Sequence, residues 1–199
     1  MHTAQDIITT YSRTGASLRE GFFKERTPLL LQSALHMARS LARGGRVLVL
    51  GEGAAESCAR TVVQALLDRL DLDRPALPAI LIPAGSLGSQ TADRAALRQL
   101  EALARSGDAL LTFLPDATQT VMGPVLALAQ DTGLSCITFC GRPAAGLSLP
   151  GLVIDAPGAS GVSAPLVHEL LFAAGHLVCR LVDYYLFENV TAIQTVDPQ

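Results

Sequence analysis

Five short apolar runs, separated by longer segments of helical periodicity, constrain the fold of this chain more than any other feature. Each run is almost continuously apolar, which is typical of a strand buried on both faces of a parallel sheet. Parallel strands that alternate with helices are joined by right-handed crossovers, so we predict a doubly wound, flavodoxin-like α/β fold with a five-stranded sheet. The predicted strands are Arg46–Leu50, Ala79–Ile82, Ala109–Phe113, Ser135–Phe139 and Leu152–Asp155.

The segment before the first strand has the pattern of two helices, Ala4–Phe23 and Pro28–Ala42. Thr27 suits the capping position of the second helix, and Pro28 suits its first helical position, where the missing N–H costs nothing. Shorter helices between the strands and one long C-terminal helix complete the pattern. They are predicted at Glu56–Leu70, Thr91–Arg105, Thr120–Thr132 and Ser163–Phe187.

Length indicates one domain, and the apolar composition indicates either a sheet covered on both faces or an apolar surface hidden in an oligomer. The 199 residues suit a single domain, and 49% apolar with 17% charged residues is an apolar balance for a soluble monomer. We predict one domain over residues 1–199, with the helical pair of 1–44 making oligomer contacts. Residues 45–187 then form the α/β core with its long last helix, and 188–199 form a tail.

Charge and cysteine spacing exclude several classes of function. The formal charge is −3 and the single lysine is Lys24, so the chain lacks the clustered positive charge that nucleic-acid binding needs. The four cysteines match no zinc spacing, and Cys136 and Cys140 lie in one predicted strand, with both side chains on the same face. No apolar run approaches the roughly 18 residues of a membrane span. We therefore expect a cytoplasmic protein without a metal or cofactor.

The first candidate ligand-binding loop follows the first predicted strand and precedes a helix. It contains Gly51, Glu52, Gly53, Ala54 and Ala55. Its glycines let the backbone approach a ligand closely, and a helix N-terminus offers free N–H groups to an anion. An anion would meet the carboxylate of Glu52 at this position. We therefore favour a structural role, in which the acidic side chains stabilise the start of the helix.

The second candidate ligand-binding loop follows the third predicted strand and contains Asp116, Thr118, Gln119 and Thr120. A phosphate cradle needs converging N–H and hydroxyl donors, and the two threonines supply hydroxyls. Pro115 lacks an N–H, however, and Asp116 carries a fixed negative charge. A structural loop with a capping Asp or Thr is the favoured interpretation. Both loops lie at the expected switch point of the sheet, where doubly wound folds bind ligands.

Four segments, in the same order along the chain, resemble the SIS domain of the phosphoheptose isomerase family. They are GGRVLVLGEG at 44–53, the Arg74-Pro75-x-x-Pro78-Ala79-Ile80 run, SGDALL at 106–111 and LVDYYLF at 181–187. The likeness covers nearly the whole chain and extends to the non-enzymatic DiaA branch, which associates with the replication initiator. The resemblance implies a homotetramer and a phosphosugar ligand.

The positions that perform chemistry in this family hold other residues in this chain. The family's loops read GNGGSA and STSGNS, and GEGAAE at 51–56 and LPDATQ at 114–119 stand in their places. The family's helical His and Glu, which the resemblance assigns to proton transfer and metal binding, fall on Thr61 and Ala65. An unpaired Asp116 beside a phosphate would be repulsive. The resemblance thus implies weakened phosphosugar binding and loss of the isomerase activity.

On the last helix, the family's Gln-Glu-x-His pattern falls on residues 168–171, where only Glu169 keeps the family identity. His168 takes the Gln position and is expected to face the crevice, so one interpretation is a repurposed acid–base pair of His168 and Glu169. His168 and His176 lie about 80° apart around a helix axis, which does not suit a shared metal. Helix-surface or subunit-interface histidines are the favoured interpretation.

Leu186 and Phe187 close the predicted last helix in an apolar cluster, and subunit packing is the simplest explanation for them. The resemblance to the DiaA branch implies instead that they contact the replication initiator. We therefore predict a non-catalytic SIS scaffold that binds a protein partner. The alternatives are an isomerase or sensor for a phosphosugar or sugar nucleotide with a remodelled site, and a purely structural oligomer.

Overall fold

The computed structural model describes residues 3–83, 90–142, 149–156 and 161–194. Its centre is a five-stranded parallel sheet with the strand order β2-β1-β3-β4-β5. This order is that of the flavodoxin-like fold, and it reverses between β1 and β3. The predicted fold class is confirmed, and each strand lies within one residue of its predicted bounds. The strands are β1 Val47–Gly51, β2 Ala79–Pro83, β3 Ala109–Leu114, β4 Ser135–Cys140 and β5 Leu152–Asp155.

The helices lie close to their predicted places, with shifted ends. The chain after β3 first forms a 3₁₀ turn, Ala117–Gln119, so the following helix begins at Gly123 rather than at Thr120. The last long helix continues into a π-helical turn, Tyr184–Glu188. The helices are α1 Ala4–Ala42, α2 Glu56–Leu67, α3 Gln90–Leu103, α4 Gly123–Asp131, α5 Ala164–Asp183 and α6 Thr191–Gln194.

The predicted N-terminal helical pair is wrong, because α1 is one helix of 39 residues with Pro28 inside it. Thr27 does not cap a second helix; its hydroxyl donates to the carbonyl of Phe23 at 2.6 Å. Phe22 and Leu30, on either side of the proline, are both buried in the same core. Packing therefore keeps the helix continuous across a residue that interrupts its backbone hydrogen bonds.

Both faces of the sheet are covered, as the apolar strands predicted. Val47 and Val49 of β1 belong to the core shared with α1, α2 and α5. Leu48 and Leu50 point to the other face and pack in the core with α3 and α4. Because β1 and β3 pair in parallel, with Gly51 opposite Phe113, their carboxyl ends and the loops that follow lie side by side at one edge of the sheet.

Helix α5 changes one expectation about composition. Together with its π-helical turn, Ala164–Glu188 is long and apolar enough to cross a membrane by length and composition alone, although no such run was expected. Half of its most apolar window is buried inside the protein, where α5 packs against α1 and α2. The apolar character is that of a core helix.

The cysteines are free and buried, as predicted. Cys136 and Cys140 of β4 both pack in the core with α3 and α4, which confirms that they share one face of the strand.

Candidate functional site

The loop after β1 folds back tightly on itself. A Cβ on Gly51 would lie 2.1 Å from the carbonyl oxygen of Ala55, so only glycine fits there. Gly53 has φ +59°, a conformation that glycine adopts without strain. A 3₁₀ turn, Gly53–Ala55, leads directly into α2, and the exposed Ala54 lies at the tip of this turn. The five predicted loop residues therefore form one compact connection at the carboxyl end of β1.

The sequence predicted that Glu52 stabilises the start of its own helix. Instead, its side chain reaches across to the second loop. Its side chain makes no capping bond to its own 3₁₀ turn. The residue is 1% exposed, and its Oε1 accepts a hydrogen bond from the backbone N–H of Val121 at 3.2 Å. Val121 directly precedes Met122, the capping residue of α4. A buried carboxylate therefore lies at the positive end of a helix, where an anionic ligand would bind.

The other acidic residue of the first loop has a separate, local role. Glu56 lies in the first turn of α2, and its carboxylate accepts a hydrogen bond from Arg60 at 2.8 Å, one turn further along the helix. This pair matches the predicted structural role.

Asp116 caps the 3₁₀ turn of the second loop and is not unpaired. Its Oδ1 accepts hydrogen bonds from the backbone N–H of Thr118 at 3.1 Å and from the hydroxyl of Thr118 at 2.6 Å. Arg142 places a guanidinium nitrogen 3.5 Å from Oδ2 of the same carboxylate. The expectation of an isolated repulsive charge is therefore corrected, because Asp116 has hydrogen-bond donors and a cation beside it.

The other polar residues of the second loop also serve its own backbone. Thr120 accepts a hydrogen bond from the N–H of Met122 at 3.1 Å. Gln119 ends the 3₁₀ turn, and its side chain lies outside the described part of the structure. The hydroxyl of Thr118 thus donates within the loop, whereas that of Thr120 accepts there.

His168 lies at the edge of the first loop. Its Nε2 is 2.9 Å from the hydroxyl oxygen of Ser57, which also donates to the carbonyl of Ala54 at 2.9 Å. Since the serine proton is given to Ala54, the arrangement fits an imidazole whose Nε2–H donates to Ser57. The α2–α5 contact therefore brings a histidine next to the candidate ligand loop.

Glu169 lies on a different side of α5 and does not join His168. Its carboxylate accepts a hydrogen bond from the phenol of Tyr11 on α1, and this bond raises the pKa of Tyr11. Both residues line a cavity of about 330 Å³ between α1 and α5. The structure thus separates the two residues that the sequence suggested as an acid–base pair.

The positions that hold proton-transfer and metal-binding groups in the resembled family do not suit that chemistry here. The hydroxyl of Thr61 donates to the carbonyl of Ser57, while Ala65 and Leu171 are buried apolar side chains. No group of three or more His, Cys, Asp or Glu residues in the described ranges could hold a metal ion. His176 instead packs edge-on against the ring of Phe172 at 4.8 Å. The residues present do not fit the family's metal.

Leu186 and Phe187 lie in the π-helical turn after α5 but differ in exposure. Leu186 is partly buried and packs against the core, whereas Phe187 is 41% exposed. Tyr184 and Val190, three residues to either side of Phe187 in the sequence, are also exposed. Of the two predicted partner-binding residues, Phe187 is therefore the accessible one.

Three contacts of the site had no signal in the sequence. Ser57 meets His168 across 111 residues, and the N–H of Val121 meets Glu52 across 69 residues. Arg142 approaches Asp116 from the end of β4. Each of these contacts depends on how elements distant in sequence pack, so no local motif could reveal it.

A flavodoxin-like sheet with a glycine-containing loop after β1 and a second loop after β3 at its switch point fits one class of protein, the SIS-type sugar-phosphate fold. The chain belongs to the SIS domain family, whose sequence profile matches residues 10–141. The phosphoheptose isomerase of Desulfovibrio desulfuricans is 36% identical over 206 residues, covering 96% of this chain and 93% of that protein. That of Solidesulfovibrio magneticus is 30% identical over 190 residues, covering 92% of each.

Solved structures agree on the fold. A phosphoheptose isomerase from Francisella tularensis superposes with a TM-score of 0.79 at 22% identity, covering 92% of this chain and 99% of that one. The enzyme from Neisseria gonorrhoeae gives a TM-score of 0.76 at 16% identity, covering 91% of this chain and 99% of that one. This chain is thus a phosphosugar-isomerase-like SIS protein.

Proposed function

We propose that this chain does not catalyse the isomerase reaction and acts as an oligomeric binding or regulatory scaffold of the replication initiator-associating type. One observation carries the proposal: the buried carboxylate of Glu52 accepts the Val121 N–H at the start of α4. An internal anion thereby takes a donor that a phosphosugar's phosphate would need.

Charge strengthens this argument. A phosphate dianion entering between the loops would meet the carboxylate of Glu52 without the screening that bulk water gives exposed charges. Binding would therefore require displacing or protonating Glu52.

The positions that carry proton-transfer groups in the resembled family also lack an acid or a base in this chain. Adjacent-carbon isomerisation needs a positioned acid and base, and Thr61, Ala65 and Leu171 offer neither. Glu169 is turned towards Tyr11 on α1. These residues support the proposal that the protein has kept the fold of its relatives but not the isomerase activity.

Exposed apolar surface supports the scaffold part of the proposal. Ile7 and Ile8 near the start of α1 are 63% and 70% exposed, which suits contacts with further copies of the chain in a cytoplasmic homotetramer. The exposed Phe187 is the proposed contact for a protein partner, the replication initiator.

A second candidate function is a phosphosugar isomerase, or a phosphosugar or sugar-nucleotide sensor, with a remodelled site. Two observations favour it: the 36% identity to a relative named phosphoheptose isomerase, and His168, which lies beside the first loop. In this case His168 would move the proton and Ser57 would hold its ring.

Activity and thermal-shift assays with sedoheptulose 7-phosphate distinguish the two candidate functions. We expect the wild-type protein to form no isomerised product and to show no rise in melting temperature with this sugar. A saturating ligand at a hundred times its Kd would stabilise the protein by about 2.7 kcal/mol, which a thermal shift detects easily. Turnover, or a rise of several degrees, would contradict the scaffold proposal and support the second candidate.

Variants at Glu52 test whether the contact between Glu52 and Val121 blocks phosphate binding. Glu52→Gln keeps an acceptor for the Val121 N–H but removes the charge, and Glu52→Asn places the family's loop residue there. We expect both variants to gain stabilisation by the sugar phosphate. Glu56→Gln, which removes a charge beside the loop without touching Val121, is the matched control and should behave like the wild type. If the Glu52 variants gain no more than this control, Glu52 does not block the site.

A further inference from the structure

The turn that follows α5 changes which side of the chain is buried. Every fourth residue of α5 from Leu171 to Asp183 is buried, and residues four apart lie on one side of an α-helix. Phe187 comes next in this series, yet it is 41% exposed. An unchanged α-helix would direct Phe187 towards the core, whereas the structure directs it to the surface.

The backbone explains this difference. The chain forms a π-helical turn over Tyr184–Glu188, and the N–H of Asn189 donates to the carbonyl of Tyr184 at 2.7 Å. This bond joins residues five apart, whereas the bonds of an α-helix join residues four apart. The wider turn rotates the side chains that follow, so that Tyr185 is buried and Phe187 is not. Such turns are rare and frequently occur at functional sites.

One ion pair brackets this turn. Nη1 of Arg180, in the last turn of α5, donates to Oε1 of Glu188 at 2.7 Å. The two residues are eight apart, about 12 Å of rise in an α-helix, whereas charged pairs on a helix surface usually join residues three or four apart. Their contact therefore depends on the course of the chain between them, and Phe187 lies within that segment.

The pair is too exposed to matter much for the stability of the whole fold. The side chains of Arg180 and Glu188 are 40% and 39% exposed, and an exposed ion pair shifts an equilibrium by at most about fivefold. A shift of that size is small against global unfolding. It is large enough to bias a single turn between two backbone forms.

We propose that the ion pair of Arg180 and Glu188 holds the π-helical turn and thereby keeps Phe187 on the surface for a protein partner. Both charged residues are positioning residues, because they act through the backbone of the turn and do not touch the partner. This inference rests on the proposed function, in which Phe187 contacts the replication initiator. It adds the part of the chain that sets the orientation of that contact.

Hydrogen exchange tests the turn without any partner. The full chain is compared with its Glu188→Ala variant by mass spectrometry, and the backbone amides of 184–190 are followed. Loss of the pair should speed exchange in this segment by about two- to fivefold, while the buried middle of α5 stays unchanged. Asp73→Ala breaks another exposed ion pair, that of Asp73 with Arg69, and is the matched control. If exchange in 184–190 is the same in both variants, the pair does not hold the turn and the proposal is wrong.

Binding of the purified initiator, measured by surface plasmon resonance, tests the consequence for the partner. Arg180→Ala and Glu188→Ala should each weaken binding by about two- to fivefold, with nearly unchanged melting temperatures. The double variant should bind no more weakly than either single variant, because both side chains act through one contact. Additive losses would mean that a charged side chain touches the initiator directly, and would overturn the positioning role.

Phe187→Ala separates this proposal from the proposed function. If Phe187→Ala loses binding while the Arg180 and Glu188 variants keep it, the positioning role is wrong and the partner contact stands. If the wild type itself binds no initiator, the proposed function fails and the positioning role fails with it.

Discussion

Arg74 and Asp183 form an ion pair with both side chains withdrawn from solvent, 1% and 0% exposed, and the Nε of Arg74 donates to Oδ1 of Asp183 at 2.8 Å. The guanidinium also donates to carbonyls at the end of α2 and in the loop after it, those of Ala65, Leu66, Asp68 and Pro75. Burial is the largest influence on the pKa of Asp183 and raises it, while Arg74 opposes that effect. The pair joins the end of α2 to the end of α5.

Removing one partner of this pair should cost much more than removing a surface pair. Arg74→Met leaves the Asp183 carboxylate and four carbonyls without their donor, so we expect a loss of about 3–5 kcal/mol in unfolding free energy. Urea denaturation measures it. Arg69→Gln, which breaks the exposed pair with Asp73, is the control and should cost at most about 1 kcal/mol.

A double variant separates lost charge pairing from lost packing. Arg74→Met with Asp183→Leu removes both charges, and we expect it to be more stable than Arg74→Met alone. If the double variant is less stable than the single one, the uncompensated carboxylate is not the source of the loss.

Part of the fold prediction rested on the family resemblance. Arg74 and Asp183 belong to two of the segments that carried the family resemblance, and the structure shows that these segments hold each other. The strands could also be predicted from the sequence, because burial on both faces makes them apolar throughout. Pro28 misled the prediction for α1, because the buried Phe22 and Leu30, which keep the helix continuous, are recognisable as core only in the folded chain.

The candidate site was predicted less completely. Its loops were located correctly, because they follow β1 and β3 and a switch point is a property of strand order. The role of Glu52 was not, because its partner is a backbone N–H 69 residues away. Charge alone indicated that Asp116 would repel an anion, whereas Arg142, which approaches it, is positioned by β4.

Two buried hydroxyls in the sheet should be replaceable with a gain in stability. Thr112 of β3 and Thr138 of β4 are neighbours across the strands, both fully buried, and neither hydroxyl has a hydrogen-bond partner among the described residues. Valine has nearly the same shape without the unsatisfied group. We expect Thr112→Val and Thr138→Val each to stabilise the protein by about 1 kcal/mol or more.

Thr132→Val is the matched control for these substitutions. The hydroxyl of Thr132 donates to the carbonyl of Leu128 at 2.8 Å, so valine should be neutral or destabilising there. The measurement is again urea denaturation. Losses at Thr112 and Thr138 as large as at Thr132 would show that their hydroxyls have partners in solution.

The buried thiols should make stability fall at alkaline pH. Burial raises the pKa of Cys58 and of Cys140 to about 11 and that of Cys179 to about 12, from a starting value of 9.0. The unfolded chain therefore ionises these thiols first, and stability is full below pH 9 and falls above it. Each thiol contributes up to about 1.4 kcal/mol per pH unit.

Unfolding free energies between pH 8 and 10 check this dependence. Cys58→Ala should be less stable at every pH but should show a shallower decline above pH 9, because one titrating thiol is absent. A flat profile up to pH 10, or an unchanged slope in Cys58→Ala, would mean that the thiols ionise equally well in the folded state.

The apolar turn after α5 provides a test of the proposed partner role. Phe187 is 41% exposed and Leu186 is packed against the core, so the two alanine variants should differ. We expect Phe187→Ala to keep the wild-type melting temperature and to lose capture of the purified replication initiator by the tagged protein.

Leu186→Ala should instead destabilise the fold, by about 2 kcal/mol or more for a packed leucine. Its effect on capture would therefore not distinguish loss of a contact from loss of folding. Leu67→Ala is the matched control for loss of an exposed apolar side chain, because Leu67 is 46% exposed at the end of α2 and has no role in the proposal. If Phe187→Ala captures as much initiator as Leu67→Ala and the wild type do, this surface does not recruit the initiator.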